Sequence, residues 1–189
     1  KYCKNEVEKA TVTGMFTLSS LNNHLPDLEQ IYRYDAANPL LELIAIRAIN
    51  RLEEIYLHPS IQKISGKKDL YSYQRFDNET SYDSIFKAGE KETKAMIAFC
   101  HKLAQDSKVL NRGLFEAAAA YAAYMNKDLQ QAKQYLAAAE KLNPAARIKD
   151  QLMLTKLLVT INEQQNINTN FEEQLLPGVQ WLEGKAKKD

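Results

Sequence analysis

The sequence predicts an all-α protein made of antiparallel helical hairpins with one long irregular loop. Three observations carry that expectation. Apolar residues recur at three- and four-residue spacing along most of the chain, the periodicity of a helix with one buried face. Gly and Pro number only 6 and 5 and fall mostly between the periodic segments. The connections in the C-terminal half are short, which makes neighbouring helices antiparallel. At 189 residues the chain suits a single domain with length enough to bury a core.

Taken in order, Asn5 to Ser20 forms a helix of lowered propensity, because Thr11, Val12, Thr13 and Gly14 sit in its middle. A short helix follows Pro26 in "PDLEQIYRY", with Leu28, Ile31 and Tyr34 inward. Asn38-Pro39 is a strong start signal: Asn caps, and Pro at the first position loses no needed hydrogen bond. The helix it opens runs to about Leu57 and is ended by His58-Pro59, completing an N-terminal group of helices over 1–59. From 60 to 82 the periodicity fails, and Tyr71, Tyr73 and Phe76 are scattered among charges in a long ordered loop, a kind of segment that often carries function.

Helical hairpins then occupy 83–189. Ile85, Phe86, Met96, Phe99, Cys100 and Leu103 form one stripe opposite a Lys/Glu face. The segment "GLFEAAAAYAAYMNKDLQQAKQYLAAAEKLNP", Gly113 to Pro144, divides into two helices near Asn126–Asp128. Another helix spans about Ala145 to Ile161. Asn170 with Glu173 makes a capping-box-like pair at the start of the last one. Pro177-Gly178 is expected to kink or split that helix, since Pro removes a donor and clashes with the preceding turn. The Lys185, Lys187 and Lys188 tail is expected to be frayed and exposed.

Composition narrows the role. A net charge of +1, from 25 basic and 24 acidic residues, leaves no electrostatic footprint for nucleic acid. The most apolar segment, Pro39 to Leu57, is interrupted by Glu42, Arg47, Asn50, Arg51, Glu53 and Glu54. It falls short of the roughly 18 uninterrupted apolar residues of a membrane span. The chain starts at Lys1 rather than Met, which reads as a processed product or a domain cut from a longer protein. Two cysteines, Cys3 and Cys100, are too few for a disulfide framework, and Cys100 on an apolar stripe reads as a buried free thiol.

Catalytic and metal chemistry finds little support. His24, His58 and His101 are far apart, with no carboxylate or Cys at ligand spacing, and no metal or other cofactor is expected. His101 adjoins Cys100, but adjacent helical residues point in different directions. Ser65 to Asp69, "SGKKD", lacks the upstream Gly of a phosphate loop. Asn78-Glu79-Thr80 matches a glycosylation triplet of a kind that chance supplies often. Paired acids such as Glu53-Glu54 and Glu172-Glu173 read as helix-surface or cap residues.

In "NKDLQQAKQYLAAAEKLNP" the residues Ala132, Leu136 (beside Tyr135), Ala139 and Pro144 fall at the intervals at which the second helix of a tetratricopeptide repeat places small, large, small and Pro. The small residues let helices approach, the large one fills the gap between repeats, and Pro stops the helix. The segment resembles that family. A fainter echo of a repeat junction lies at Leu28, Ile31, Tyr34, Asp35 and Asn38-Pro39. The first helix departs from the pattern: its bulky first position falls on Glu116, and the helix after Pro39 carries Glu42 at the equivalent place. The resemblance implies hairpins stacked as a right-handed array, acting as a non-enzymatic scaffold that binds a protein or peptide on its concave face.

Carried onto this sequence, the groove positions are Leu114, Ala117, Tyr121, Tyr124 and Met125, with Tyr121 and Tyr124 alternatively readable as inter-helix core. A second reading is a small-molecule or glycan-binding protein, enzymatic or not, with Tyr71, Tyr73, Arg75 and Phe76 of the loop as its face. The chain is also similar to helical-repeat parts of large bacterial envelope proteins, which leaves an extracytoplasmic location open.

Overall fold

The computed structural model describes residues 3–20, 24–56, 82–164 and 168–187. The predicted loop, with Tyr71, Tyr73, Arg75 and Phe76, lies outside the described residues, as do His58-Pro59 and Asn78-Glu79-Thr80. Among the described residues there are eight helices and no strand, so the all-α class holds. The helices are α1 Glu6–Ser19, α2 Leu25–Tyr34, α3 Leu40–Tyr56, α4 Tyr82–Gln105, α5 Arg112–Met125, α6 Leu129–Lys141, α7 Ala146–Glu163 and α8 Thr169–Ala186.

Helix starts follow side chains that satisfy the first unpaired amides. Asn5 Oδ1 accepts from Glu8 N at 2.8 Å at the head of α1, and Asn38 Oδ1 accepts from Leu40 N at 3.1 Å before α3. Asp128 Oδ1 accepts from Gln131 N at 2.9 Å before α6. In the turn between α5 and α6, Lys127 takes a left-handed backbone (φ 63°), the conformation for which Gly is the default.

The last helix differs from expectation at three points. Its cap is Asn168, in extended backbone, whose side chain accepts from Phe171 N at 3.0 Å; Asn170 is already inside the helix. Pro177 does not split it, and α8 runs unbroken from Thr169 to Ala186. Lys185 is not a frayed end: it bonds Asp150 of α7 at 2.5 Å and lies 5.6 Å from the centre of the Trp181 ring. Gly178 is buried against Leu157, so the Pro-Gly pair marks a close approach of α8 to α7.

Helix α5 is the centre of the molecule and packs against α3, α4, α6 and α7. Phe115, Ala119, Ala120, Ala122 and Ala123 have no exposed surface, so nearly every face of this helix is buried. The alanines explain how one helix can have four neighbours, because short side chains permit small interaxial distances. Gly113 serves the same end: a Cβ there would lie 2.7 Å from Pro144 Cβ, within the rigid ring. The first turn of α5 therefore touches the residue just beyond α6, and the two form an antiparallel hairpin. On α6 the buried residues are Ala132, Leu136 and Ala139.

Three helices run parallel. Asn111, at the head of α5, bonds Glu42 in the first turn of α3, and Tyr121 farther along α5 lies near Glu53 farther along α3. Leu114 and Ile148 share a cleft near the starts of α5 and α7, while Tyr124 and Asn162 meet near their ends. Helices α3, α5 and α7 thus lie side by side in one direction. Helix α4 packs antiparallel on α5, since His101 near its end meets Glu116 near the start of α5.

Candidate functional site

The shared face of α3, α5 and α7 is concave and holds a cleft of about 270 Å³. Ile49, Ala117 and Tyr121 are buried and form its floor, while Ile46, Leu114, Ala118 and Ile148 form its walls. Four polar side chains, Asn50, Glu53, Arg147 and Gln151, complete the lining. Helical geometry explains the grouping. Ile46, Ile49, Asn50 and Glu53 follow one another at three- and four-residue steps, as do Leu114, Ala117, Ala118 and Tyr121.

Of the candidate concave-face residues, Leu114, Ala117 and Tyr121 line this cleft. Tyr121 does so while 91% buried, with the Glu53 carboxylate beside its hydroxyl, so a single ring serves both as packing and as cleft floor. Burial, with the Glu53 carboxylate adding to it, holds the Tyr121 phenol well above its ordinary pKa. Tyr124 stacks on Tyr121 at 6.1 Å between ring centres and accepts from Asn162 Nδ2 at 3.2 Å, which ties α5 to α7 beside the cleft. Met125 is buried in the core and does not line the cleft.

The α3 and α7 contributions were not singled out from the sequence. A signal existed in α3: Leu41, Ile44, Ala45, Ala48 and Leu52 already complete a core stripe, yet Ile46 and Ile49 add a second apolar row. Helix α7 carries no comparable surplus, and Arg147, Ile148 and Gln151 come to the cleft only through tertiary placement.

A second polar cluster lies on the opposite side of α5. The Glu116 carboxylate has no exposed surface, and His101 Nδ1 stands 3.0 Å from both of its oxygens. An ionised carboxylate only accepts, so the imidazole donates from Nδ1. The Tyr135 ring covers the imidazole at 4.9 Å. Desolvation raises the Glu116 pKa above its ordinary value, and the hydrogen bond from His101 opposes the rise. His101 nonetheless has a carboxylate partner, fifteen positions away on the next helix, where spacing along one helix does not reveal it. Cys100, adjacent in sequence to His101, is fully buried, and desolvation pushes its thiol up to about 12, which makes it a poor nucleophile. Cys3 and Cys100 are both free.

No group of three or more His, Cys, Asp or Glu among the described residues is placed to hold a metal ion. No helix among them is long and apolar enough to cross a membrane. Comparison of the chain with protein-family models, with curated proteins and with solved structures returned no match.

Proposed function

We propose that this chain is a helical-repeat scaffold of tetratricopeptide-like plan, and that the α3–α5–α7 cleft receives a protein or peptide segment. The observation that carries the reading is the parallel run of three helices whose common face is concave and apolar. In this plan α3, α5 and α7 are the first helices of successive hairpins, and α6, with Ala132, Leu136 and Ala139 buried, is a second helix.

The size of the cleft favours a side chain over a small molecule. Ligand pockets usually enclose about 300–1,000 Å³, whereas this one holds about 270 Å³ and is open along one side. One or two apolar side chains fill such a volume, with the rest of a peptide lying across the helices.

A random peptide library displayed on phage and panned against the folded protein tests the proposal. Ala118→Gln places a long, helix-compatible side chain in the cleft, at a partly exposed position where folding should be unaffected. Enriched peptides should bind this variant at least about tenfold more weakly, with helical circular dichroism and Tm unchanged. Peptides that bind both proteins alike would place recognition elsewhere.

A further inference from the structure

We infer that the segment recognised by this cleft carries an acidic side chain close to its apolar anchor, with Arg147 as the group that selects it. The inference rests on the peptide-binding reading above and adds the chemistry of the ligand.

The polar side chains of the cleft are unequal. Its one carboxylate, Glu53, lies beside the Tyr121 hydroxyl. Arg147 is exposed, and neither its guanidinium nor the side-chain amides of Asn50 and Gln151 has a hydrogen-bond or ion-pair partner among the described residues. The acid within one turn of Arg147 on its own helix, Asp150, is held by Lys185 of α8 at 2.5 Å. The other arginine at this edge, Arg112, is committed to the Ala104 carbonyl at 2.7 Å. Glu42, the nearest acid at the head of α3, is taken by Asn111, whose Nδ2 lies 2.7 Å from both oxygens. The surrounding charged groups thus have partners of their own, and Arg147 is the one cation among the residues that line the cleft.

Position supports the same conclusion. Arg147 lies in the first turn of α7, whose first turn contains no acidic residue. A cation there opposes the helix dipole, and an incoming carboxylate relieves both charges at once. A guanidinium has five donors in a planar fork and no acceptor, so a carboxylate is the peptide side chain that matches it.

Arg147 lines the same cleft as Leu114, Ala117 and Ala118 of the neighbouring helix α5. A segment that seats an apolar side chain in the cleft therefore carries a neighbouring acid within reach of the guanidinium.

The peptides selected by phage display provide the probe. Sequencing should show Leu, Ile, Met or Phe with Asp or Glu enriched close to it. Arg147→Glu should weaken these peptides about tenfold or more at low salt, and panning against that variant should enrich Lys or Arg in place of the acid. Binding to the unaltered protein should weaken as salt rises, because the contact is exposed. If the enriched peptides lose binding to Ala118→Gln but show no acidic preference and are indifferent to Arg147→Glu, the inference fails while peptide binding in the cleft stands. If they are indifferent to Ala118→Gln, or none is enriched, both readings fail together. Arg147 is exposed, so its replacement leaves Tm unchanged, and helical circular dichroism reports this in the same preparations.

Discussion

Two buried ionisable side chains, His24 at the head of α2 and Glu116 in the second turn of α5, are accommodated in opposite ways. His24 is 98% buried, and its Nδ1 has no hydrogen-bond partner. Desolvation lowers its pKa first, and the nearby Arg47 and Arg51 push it further down, while Asp27 and Glu92 oppose them weakly. Glu116 is equally buried, but His101 meets both of its oxygens. The N-terminal region keeps an ionisable group by leaving it neutral, and the α4–α5 contact keeps one by supplying a partner. The contrast teaches where each region is vulnerable: one to acid, the other to loss of a neighbour.

The largest expected effect breaks the paired side of this comparison. His101→Ala leaves a desolvated carboxyl with no donor, a defect worth several kcal/mol in a sealed interior. His101 itself is 42% exposed, so water enters the vacated space and the expected loss is about 2 kcal/mol at pH 7 by urea denaturation. The pH response follows from the raised Glu116 pKa. Folding favours the neutral acid, so its contribution is fully present below the unfolded value of 4.5 and is lost as pH rises through the folded one. The double variant His101→Ala/Glu116→Gln should therefore recover about 1 kcal/mol over His101→Ala at pH 7, and almost none at pH 4.5. A pH-independent difference between the two variants would show that Glu116 is not the source of the loss.

The second effect is smaller and runs the other way with pH. The lowered His24 pKa means that its contribution is complete above the unfolded value of 6.5 and fades as pH falls toward the folded one. His24→Leu removes no hydrogen bond at Nδ1 and substitutes a side chain of similar volume. Relative to this variant, the natural protein should lose up to about 1.4 kcal/mol between pH 7.5 and 5.5, a ceiling set by protonation of the unfolded histidine. A constant difference across that range would mean that His24 is charged, or solvated, in the fold.

These sites also mark how far the sequence could be read. Helix positions came through where the signal is local: Asn38 caps α3, helices begin next to Asn5 and Asp128, and Ala132, Leu136 and Ala139 face inward. The cleft came through by one wall only. Leu114, Ala117 and Tyr121 were named through the tetratricopeptide resemblance, whereas Ile46 and Arg147 reach them through packing of segments tens of residues apart. Glu116 was legible as a disturbance, a charge on an apolar face. Its resolution was not, because the stabilising group sits on another helix and spacing along one helix cannot find it. The Asn170 cap was misplaced for a comparable reason: Asn168 and Asn170 are chemically identical, and only the extended backbone at 168 chooses between them.

The smallest effect tests whether the glutamates at matched places in α3 and α5 are equivalent, as the repeat pattern implied. Glu42 is only half-buried, and its partner Asn111 is exposed, so both oxygens accept from a neutral amide in contact with water. Glu42→Ala removes a bond that water can replace at both ends, and the expected loss is about 0.5 kcal/mol or less, flat between pH 6 and 8. Set beside the loss of about 2 kcal/mol for His101→Ala, this would make the two sites a surface tie and a buried pair. A Glu42→Ala loss approaching 2 kcal/mol would instead show that the head of α3 is fastened to α5 as firmly as α4 is. Correspondence in sequence would then extend to energetics, and the comparison of partnered with unpartnered burial would need to include three sites rather than two.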